Sequence, residues 1–224
     1  MEQHIYCFGC SQSEVVDYIF HKYRHYHSFW YSGWSCRGLG KYFSMISTII
    51  KHPKSKIILC FGSVDIDFNY YYKQKVKKET INDINFITEM SNSLNNLKLF
   101  LEKQHHEVVL CFPYVPLPQS NSEFAKNSIH PNKQLRLNLW LDFIKNIKNM
   151  SCENTVICDI SIYLMNYGIL KLLRNKPDHH PNFIITQHYL LYEFHKQNLF
   201  KNITSKSLPK KLYNHVIRTL PKII

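Results

Sequence analysis

Short apolar segments alternate with amphipathic segments along most of the chain. The apolar segments predict strands at residues 5–8, 28–31, 56–61, 107–112 and 155–158. Segments with a helical period follow them, at residues 14–23, 42–50, 81–101, 135–147, 162–173 and 185–198. Alternation of this kind is typical of βαβ units that build a parallel sheet. We therefore predict an α/β fold, a three-layer α/β/α sandwich with a central parallel sheet.

The segment from Ile81 to Leu101 has the clearest helical period. Its apolar residues recur at spacings of three and four, which places them on one face of a helix. Thr80 is the predicted N-cap, with Asp83 three residues later. Farther along the chain, we expect Gly168 to interrupt the helix predicted over residues 162–173.

The length of 224 residues suits one domain rather than two. We expect residues 1–200 to form this domain and residues 201–224 to be a basic C-terminal extension of it. No run approaches the ~20 apolar residues that a membrane span requires, and the first residues do not resemble a signal peptide. These features predict a soluble cytoplasmic protein, located in a host cytoplasm if the source is viral.

The chain carries a strong excess of positive charge. Its 28 Lys and Arg residues against 16 Asp and Glu residues give a formal net charge of +12. Such a charge attracts polyanions, including nucleic acid, anionic lipid and acidic glycan. The alternative is a lysine-rich solvated surface, since the densest clusters, at residues 73–78 and 206–211, lack interleaved aromatic residues. Both interpretations of the charge stay open.

The seven cysteines show no zinc-binding pattern. Cys7, Cys60, Cys111 and Cys158 each lie in an apolar run, and no second pair accompanies Cys7 and Cys10. Buried, reduced thiols that pack as small apolar side chains are the expected result. Reduced thiols indicate a reducing compartment.

Candidate chemistry lies where the predicted strands end, because open parallel sheets bind ligands at the carboxyl ends of their strands. Gly9-Cys10-Ser11 follows the first strand, and a Ser after such a turn is well placed to attack a substrate. The alternative is that Ser11 or Ser13 only caps the next helix.

Two further segments follow predicted strands. Ser32-Gly33 begins a glycine-rich loop, which marks backbone that turns or approaches a ligand closely. Asp65 and Asp67 follow the third strand, and their spacing fits either a metal site or a capped turn.

The last candidate segment is Asp178-His179-His180-Pro181-Asn182, before the final helix. A His beside an Asp is suited to act as a general base that a carboxylate orients. His179 and His180 are adjacent and point in different directions, which argues against joint binding of one metal ion. A second His-Pro-Asn, at residues 130–132, places Asn132 as a helix cap.

In order and spacing, these segments resemble the conserved blocks of the SGNH (GDSL-like) hydrolases, whose fold is flavodoxin-like. The matching segments are Gly9-Cys10-Ser11, Ser32-Gly33, Gly62-Ser63-Val64-Asp65 and His180-Pro181-Asn182. The resemblance runs from about Ile5 to Phe194 and implies a serine hydrolase of acyl esters, with acetyl esters on carbohydrates as the expected substrates. It implies no metal and no organic cofactor.

The resemblance also assigns roles to individual residues. Ser11 would be the nucleophile, His180 the general base and Asp178 the carboxylate that orients the imidazole. The backbone N–H groups of Ser11 and Gly33 would form the oxyanion hole, which stabilises the negative charge of the tetrahedral intermediate.

Three positions depart from the pattern of the family. Cys10 replaces the usual Asp, Val64 replaces the Asn of the oxyanion hole, and Pro177 stands where the orienting Asp is expected, one residue before Asp178. These departures leave an alternative open, a binding or structural protein with an impaired site that uses its basic surface on a polyanion.

Overall fold

The central element of the fold is a parallel sheet of five strands. A computed structural model describes residues 3–118, 131–152, 154–173 and 180–200. Its strands are β1 (Ile5–Gly9), β2 (Tyr26–Trp30), β3 (Lys56–Cys60), β4 (Glu107–Phe112) and β5 (Val156–Asp159). They lie in the order β2-β1-β3-β4-β5, and every neighbouring pair is parallel. This flavodoxin-like order reverses direction between β1 and β3, the position where such sheets bind ligands.

Six helices connect or flank these strands in the described part of the chain. They are α1 (Glu14–Phe20), α2 (Phe43–Ile49), α3 (Asp83–Glu102), α4 (Lys133–Met150), α5 (Ser161–Tyr167) and α6 (Phe183–Lys196). Gly168 ends α5 with a φ of +106°, as predicted, and a short 3₁₀ turn, Ile169–Leu172, follows it. Asn132 caps α4 by accepting a hydrogen bond from the Leu135 N–H.

The predicted N-cap of α3 is wrong. Asn82, not Thr80, accepts the hydrogen bond of the Asn85 N–H. The carboxylate of Asp83 accepts a hydrogen bond from Tyr70 Oη at 2.7 Å, so it does not serve a capping box that begins at Thr80. The helix therefore begins at Asp83, two residues later than the periodicity alone indicates.

Alternating residues of each strand enter two separate cores. Tyr6, Phe8, Ile57 and Leu59 face α2, α3 and α4, whereas Ile5, Cys7, Ile58 and Cys60 face α1, α5 and α6. Helices on both faces cover the sheet, which explains why its inner strands are continuously apolar. The structure confirms the three-layer α/β/α sandwich.

Most of the cysteines pack in these cores. Cys7, Cys10, Cys36, Cys60, Cys111 and Cys158 are buried free thiols, and Cys152 is exposed. Among the described residues, no helix combines the length and the apolar character that a membrane crossing requires. Residues 201–224, the predicted basic extension, lie outside the described part of the chain.

Candidate active site

Ser11 lies directly after the turn that ends β1. Gly9 is required in this turn because a Cβ at this position would lie 2.5 Å from the carbonyl oxygen of Cys60. The Cys10 N–H donates to that same carbonyl at 3.2 Å, which ties the turn to the end of β3. A short 3₁₀ turn, Ser11–Ser13, then leads into α1.

The hydroxyl of Ser11 is hydrogen-bonded to His180, from the other end of the chain. Ser11 Oγ and His180 Nε2 are 2.6 Å apart. Ser13 Oγ instead donates to the Cys10 carbonyl at 2.7 Å, and it makes no capping bond to α1. Neither hydroxyl acts as a helix cap, so the capping interpretation is wrong for both serines.

The segment just before α6 fixes the position of His180. Asn182 Oδ1 caps this helix by accepting from the Ile184 N–H at 3.0 Å. The Asn182 N–H donates to the Leu172 carbonyl at 2.8 Å, which anchors the same residue to the preceding 3₁₀ turn. The ring of Phe183 meets the His180 imidazole edge to face, with centroids 5.9 Å apart. His180 is thus held from the backbone and from one side of its ring.

Asp178 and His179 lie outside the described residues. The interaction of the Asp178 carboxylate with His180 therefore stays a prediction. His130, in the segment before α4, also lies outside the described residues.

Gly33 lies in the loop that follows β2. Its φ is +81°, in the left-handed region that favours glycine. The loop begins beside the first block, because the Tyr31 N–H donates to the Gly9 carbonyl at 3.1 Å. The second segment is thus joined to the first by a backbone hydrogen bond, as expected for neighbouring parallel strands.

The carboxylate of Asp65 joins the loop after β2 to the segment after β3. Asp65 is fully buried, and its Oδ2 accepts from the Cys36 N–H at 2.6 Å. Burial raises the pKa of Asp65 to about 6, and the hydrogen bond from Cys36 partly offsets this effect. Sequence reasoning placed Asp65 at the site but did not predict that it holds the glycine-rich loop.

Asp67 forms a buried ion pair with Arg136 of α4. Arg136 Nη1 lies 2.8 Å from Asp67 Oδ1, and Nη2 donates to the Leu117 carbonyl at 2.6 Å. Each of the two aspartates therefore has its own structural partner on another segment, and no side chain caps the turn at Asp65–Asn69, so neither the metal site nor the capped turn describes them. Sequence reasoning missed Arg136, although it occupies the apolar face of α4 with Trp140 and Phe143 and so stands out there.

Solved structures of ester-hydrolysing proteins share this arrangement of strands and helices. No family model and no curated protein matches the sequence. A lipolytic protein of the GDSL family from Veillonella parvula matches 87% of this chain and 97% of its own, at 14% identity and a TM-score of 0.58. A GDSL-like lipase from Bacteroides thetaiotaomicron matches 88% of this chain and 87% of its own, at 13% identity and a TM-score of 0.57. A catalytic mutant of an acetylxylan esterase from Geobacillus stearothermophilus matches 91% of this chain and 97% of its own, at 13% identity and a TM-score of 0.58.

The chain has the SGNH (GDSL-like) fold. In this fold the segments after β1, β2 and β3 lie at one edge of the sheet, and the described structure brings His180 to the same edge. The residue that follows β1 and the residue that precedes α6 therefore meet at one edge of the sheet, as predicted.

Two of the departures from the SGNH pattern are visible in the structure. Cys10 Sγ is hydrogen-bonded to Ser63 Oγ at 3.0 Å, which joins the first and third blocks. Burial raises the pKa of the Cys10 thiol, so it stays protonated and is unsuited as a competing nucleophile. Val64 is half-buried and its side chain has no hydrogen-bonding group, so it offers no donor to an oxyanion.

A separate groove lies between α3 and α4. Its volume is about 500 Å³, and its lining includes Asp83, Ile87, Asn138 and Asp142. None of its lining residues belongs to the four segments that match the SGNH blocks. The groove is therefore not part of the candidate active site of this SGNH fold.

Proposed function

We propose that the chain is a serine hydrolase of acyl esters, with Ser11 as nucleophile and His180 as general base. The distance of 2.6 Å between Ser11 Oγ and His180 Nε2 is the observation that carries this proposal. A nucleophile and a base within hydrogen-bond reach are the core of the serine hydrolase mechanism. The shared fold with lipolytic proteins and an acetylxylan esterase supports the same reaction class.

The reaction begins when Ser11 Oγ attacks the acyl carbonyl carbon. His180 Nε2 takes the hydroxyl proton, and the carbonyl oxygen becomes the oxyanion of a tetrahedral intermediate. His180 then gives this proton to the departing alkoxide, which leaves an acyl group on Ser11. Water attacks the acyl group with His180 again as the base, which releases the carboxylic acid and restores the Ser11 hydroxyl.

The oxyanion hole in this proposal consists of backbone N–H groups of Ser11 and Gly33. Val64 contributes no donor, so the hole is one donor smaller than the family pattern. Loss of such a donor costs on the order of 3 kcal/mol in the transition state. We therefore expect a hydrolase whose turnover is slow compared with a member of the family that keeps the Asn.

An acetyl ester of a carbohydrate is the substrate we propose first. The solved acetylxylan esterase with this fold acts on such an ester, and a small acyl group requires little space beside Ser11. Asp178 is proposed to orient His180, as the family pattern implies. The proposed hydrolysis requires no metal and no organic cofactor.

Hydrolysis of p-nitrophenyl acetate and butyrate tests the proposal. Ser11→Ala and His180→Gln should each lower kcat by at least about a hundredfold, because each removes one member of the reacting pair. Ser44→Ala on α2 and His195→Gln on α6 are matched controls at exposed positions and should keep the wild-type rate. Equal rates for wild type and Ser11→Ala would contradict the proposal.

Val64 favours a second candidate function, a binding module with an impaired site. In that case the net charge of +12 would hold a polyanion at the surface. Binding of a labelled oligonucleotide or heparin should then weaken steeply as salt rises, while ester hydrolysis is absent. Binding that does not change with salt would contradict this electrostatic alternative.

A further inference from the structure

Three histidines lie together at the edge of the sheet opposite to Ser11. His4 directly precedes β1, His27 is the second residue of β2, and His52 lies in the segment that leads into β3. Because the strands are parallel, their amino ends share one edge, and the three side chains meet there. Each of the three residues is half-buried, so the group is accessible from solvent. No part of the proposed ester chemistry uses it.

The nitrogen atoms of this group lie close enough together to converge on one ion. One ring nitrogen from each histidine lies within 4.8 Å of the others. His4 Nδ1 and His27 Nε2 form a hydrogen bond at 3.2 Å, and a bound ion would displace its proton. Two imidazole nitrogens that bind one Zn²⁺ tetrahedrally, with Zn–N bonds of about 2.0–2.1 Å, are separated by about 3.3–3.4 Å. The pair thus has almost the spacing that a bound ion requires.

The three rings must tilt before they can bind one ion, because all of them are nearly parallel. Those of His4 and His52 are stacked, with centroids 3.3 Å apart and planes 7° from parallel, and the His27 ring lies 10° and 17° from these two planes. A metal ion lies in the plane of each imidazole that binds it, so the rings must tilt toward a common point. This tilt must come mainly from His4, because the hydrogen bond with Tyr6 holds the His52 ring.

Tyr6 provides the outer contact that a metal-bound histidine usually has. Its Oη lies 2.7 Å from His52 Nδ1 and also accepts from the Lys51 N–H at 3.2 Å. Ligating histidines commonly donate their second ring N–H to such a polar group, which fixes the orientation of the ring. Tyr6 thereby leaves Nε2 of His52 as the nitrogen that coordinates.

The chemistry of the group selects the class of ion. Within the described residues, it is the one group of three His, Cys, Asp or Glu side chains with this spacing. It contains imidazoles only, which suit Zn²⁺, Cu²⁺ and Ni²⁺ rather than the oxygen-seeking Ca²⁺ and Mg²⁺. A water molecule can take the fourth position of a tetrahedral site.

We propose that His4, His27 and His52 bind a divalent transition-metal ion of the Zn²⁺ class, which ties together β1, β2 and the segment leading into β3. The role is structural, because the group lies at the amino ends of the strands and Ser11 at their carboxyl ends. The proposal is independent of ester hydrolysis, and its test measures metal binding alone.

Titration of the full chain with Zn²⁺, after removal of metals by a chelator and with a chromophoric competitor present, tests this site. Wild type should bind one Zn²⁺ that His27→Gln and His52→Gln each weaken by at least about a hundredfold, since loss of a ligand should exceed the 10–100-fold effect of an outer contact. His195→Gln, outside the group, should bind as wild type does. Equal Zn²⁺ binding by all four proteins, or none by wild type, would overturn the proposal.

The visible spectrum of the wild-type chain with Co²⁺ provides a second measurement that does not depend on the folding of variants. Coordination by nitrogen in a tetrahedral site should give d–d bands without a thiolate charge-transfer band. A thiolate band would place the metal on cysteine and would overturn the assignment to the three histidines.

Discussion

At Arg136, a full positive charge lies inside the core of the molecule. Its partners, the Asp67 carboxylate and the Leu117 carbonyl, are on two other segments, so the guanidinium fixes how these segments meet α4. A buried ion pair adds little net stability, because desolvation offsets the attraction, but removal of one partner leaves a costly unpaired charge. The sequence marks this residue only as a cation on an apolar helix face. Its partners could not be predicted, because they come from distant segments.

His188 on α6 makes the stability of the folded chain depend on pH. It is 7% exposed, and burial lowers its pKa from 6.5 to about 4. In the unfolded chain His188 gains a proton near pH 6.5, whereas in the folded chain it gains one only near pH 4. Its contribution to stability is therefore complete above pH 6.5 and falls as the pH drops toward 4, by on the order of 3 kcal/mol.

Thermal unfolding across this pH range should show a smaller loss of stability for His188→Gln than for wild type. In the folded state His188 stays neutral until the pH approaches 4, and Gln has no proton to gain. His195→Gln, an exposed position on the same helix, is the control and should follow wild type. An identical pH dependence for all three proteins would mean that His188 does not titrate as its burial requires.

Hydrophobic periodicity predicts the bounds of a strand or helix where those bounds depend on side-chain burial. It fails where polar contacts set them. The strand at residues 107–112 has the predicted bounds, because it is covered on both faces and its apolar run is unambiguous. The edge strand β2 begins at Tyr26, two residues earlier than predicted. None of its five residues is fully buried, so no continuous apolar run marks its start. The π-helical turns at Asp65–Asn69 and Tyr72–Val76 have no periodicity that a sequence pattern reveals.

Backbone conformation and packing both exclude a side chain at Gly62, two residues after β3. Its φ is +111°, and a Cβ would lie 2.6 Å from Phe143 Cε1. Gly62→Ala should therefore lower the free energy of unfolding by roughly 2 kcal/mol or more. Gly40→Ala is the matched control, since a Cβ there meets nothing within 4 Å, and it should change stability by about 0.5 kcal/mol or less.

Chemical denaturation of both glycine variants checks this difference. If Gly62→Ala and Gly40→Ala unfold at the same denaturant concentration, the close packing of α4 against the end of β3 is not as described.

At the scale of the whole molecule, the parallel sheet separates two kinds of chemistry. Segments after the strands place Ser11 and His180 at the carboxyl edge, and residues before or at the start of the strands place the histidine group at the amino edge. The carboxyl-edge pair could be predicted, because the position of ligands in parallel sheets follows from topology and because the motifs mark their residues. The histidine group could not, since its members form no motif: His4 and His27 meet through the pairing of β1 with β2, and His52 comes from the segment before β3.

Covalent capture by a fluorophosphonate measures directly whether His180 activates Ser11 for attack. In the folded wild-type chain, Ser11 Oγ should displace fluoride and form one phosphonyl adduct, located at Ser11 by peptide mass spectrometry. His180→Gln should slow the capture by at least about a hundredfold. A folded wild-type chain that is not captured, or is captured at another residue, would mean that His180 does not activate Ser11.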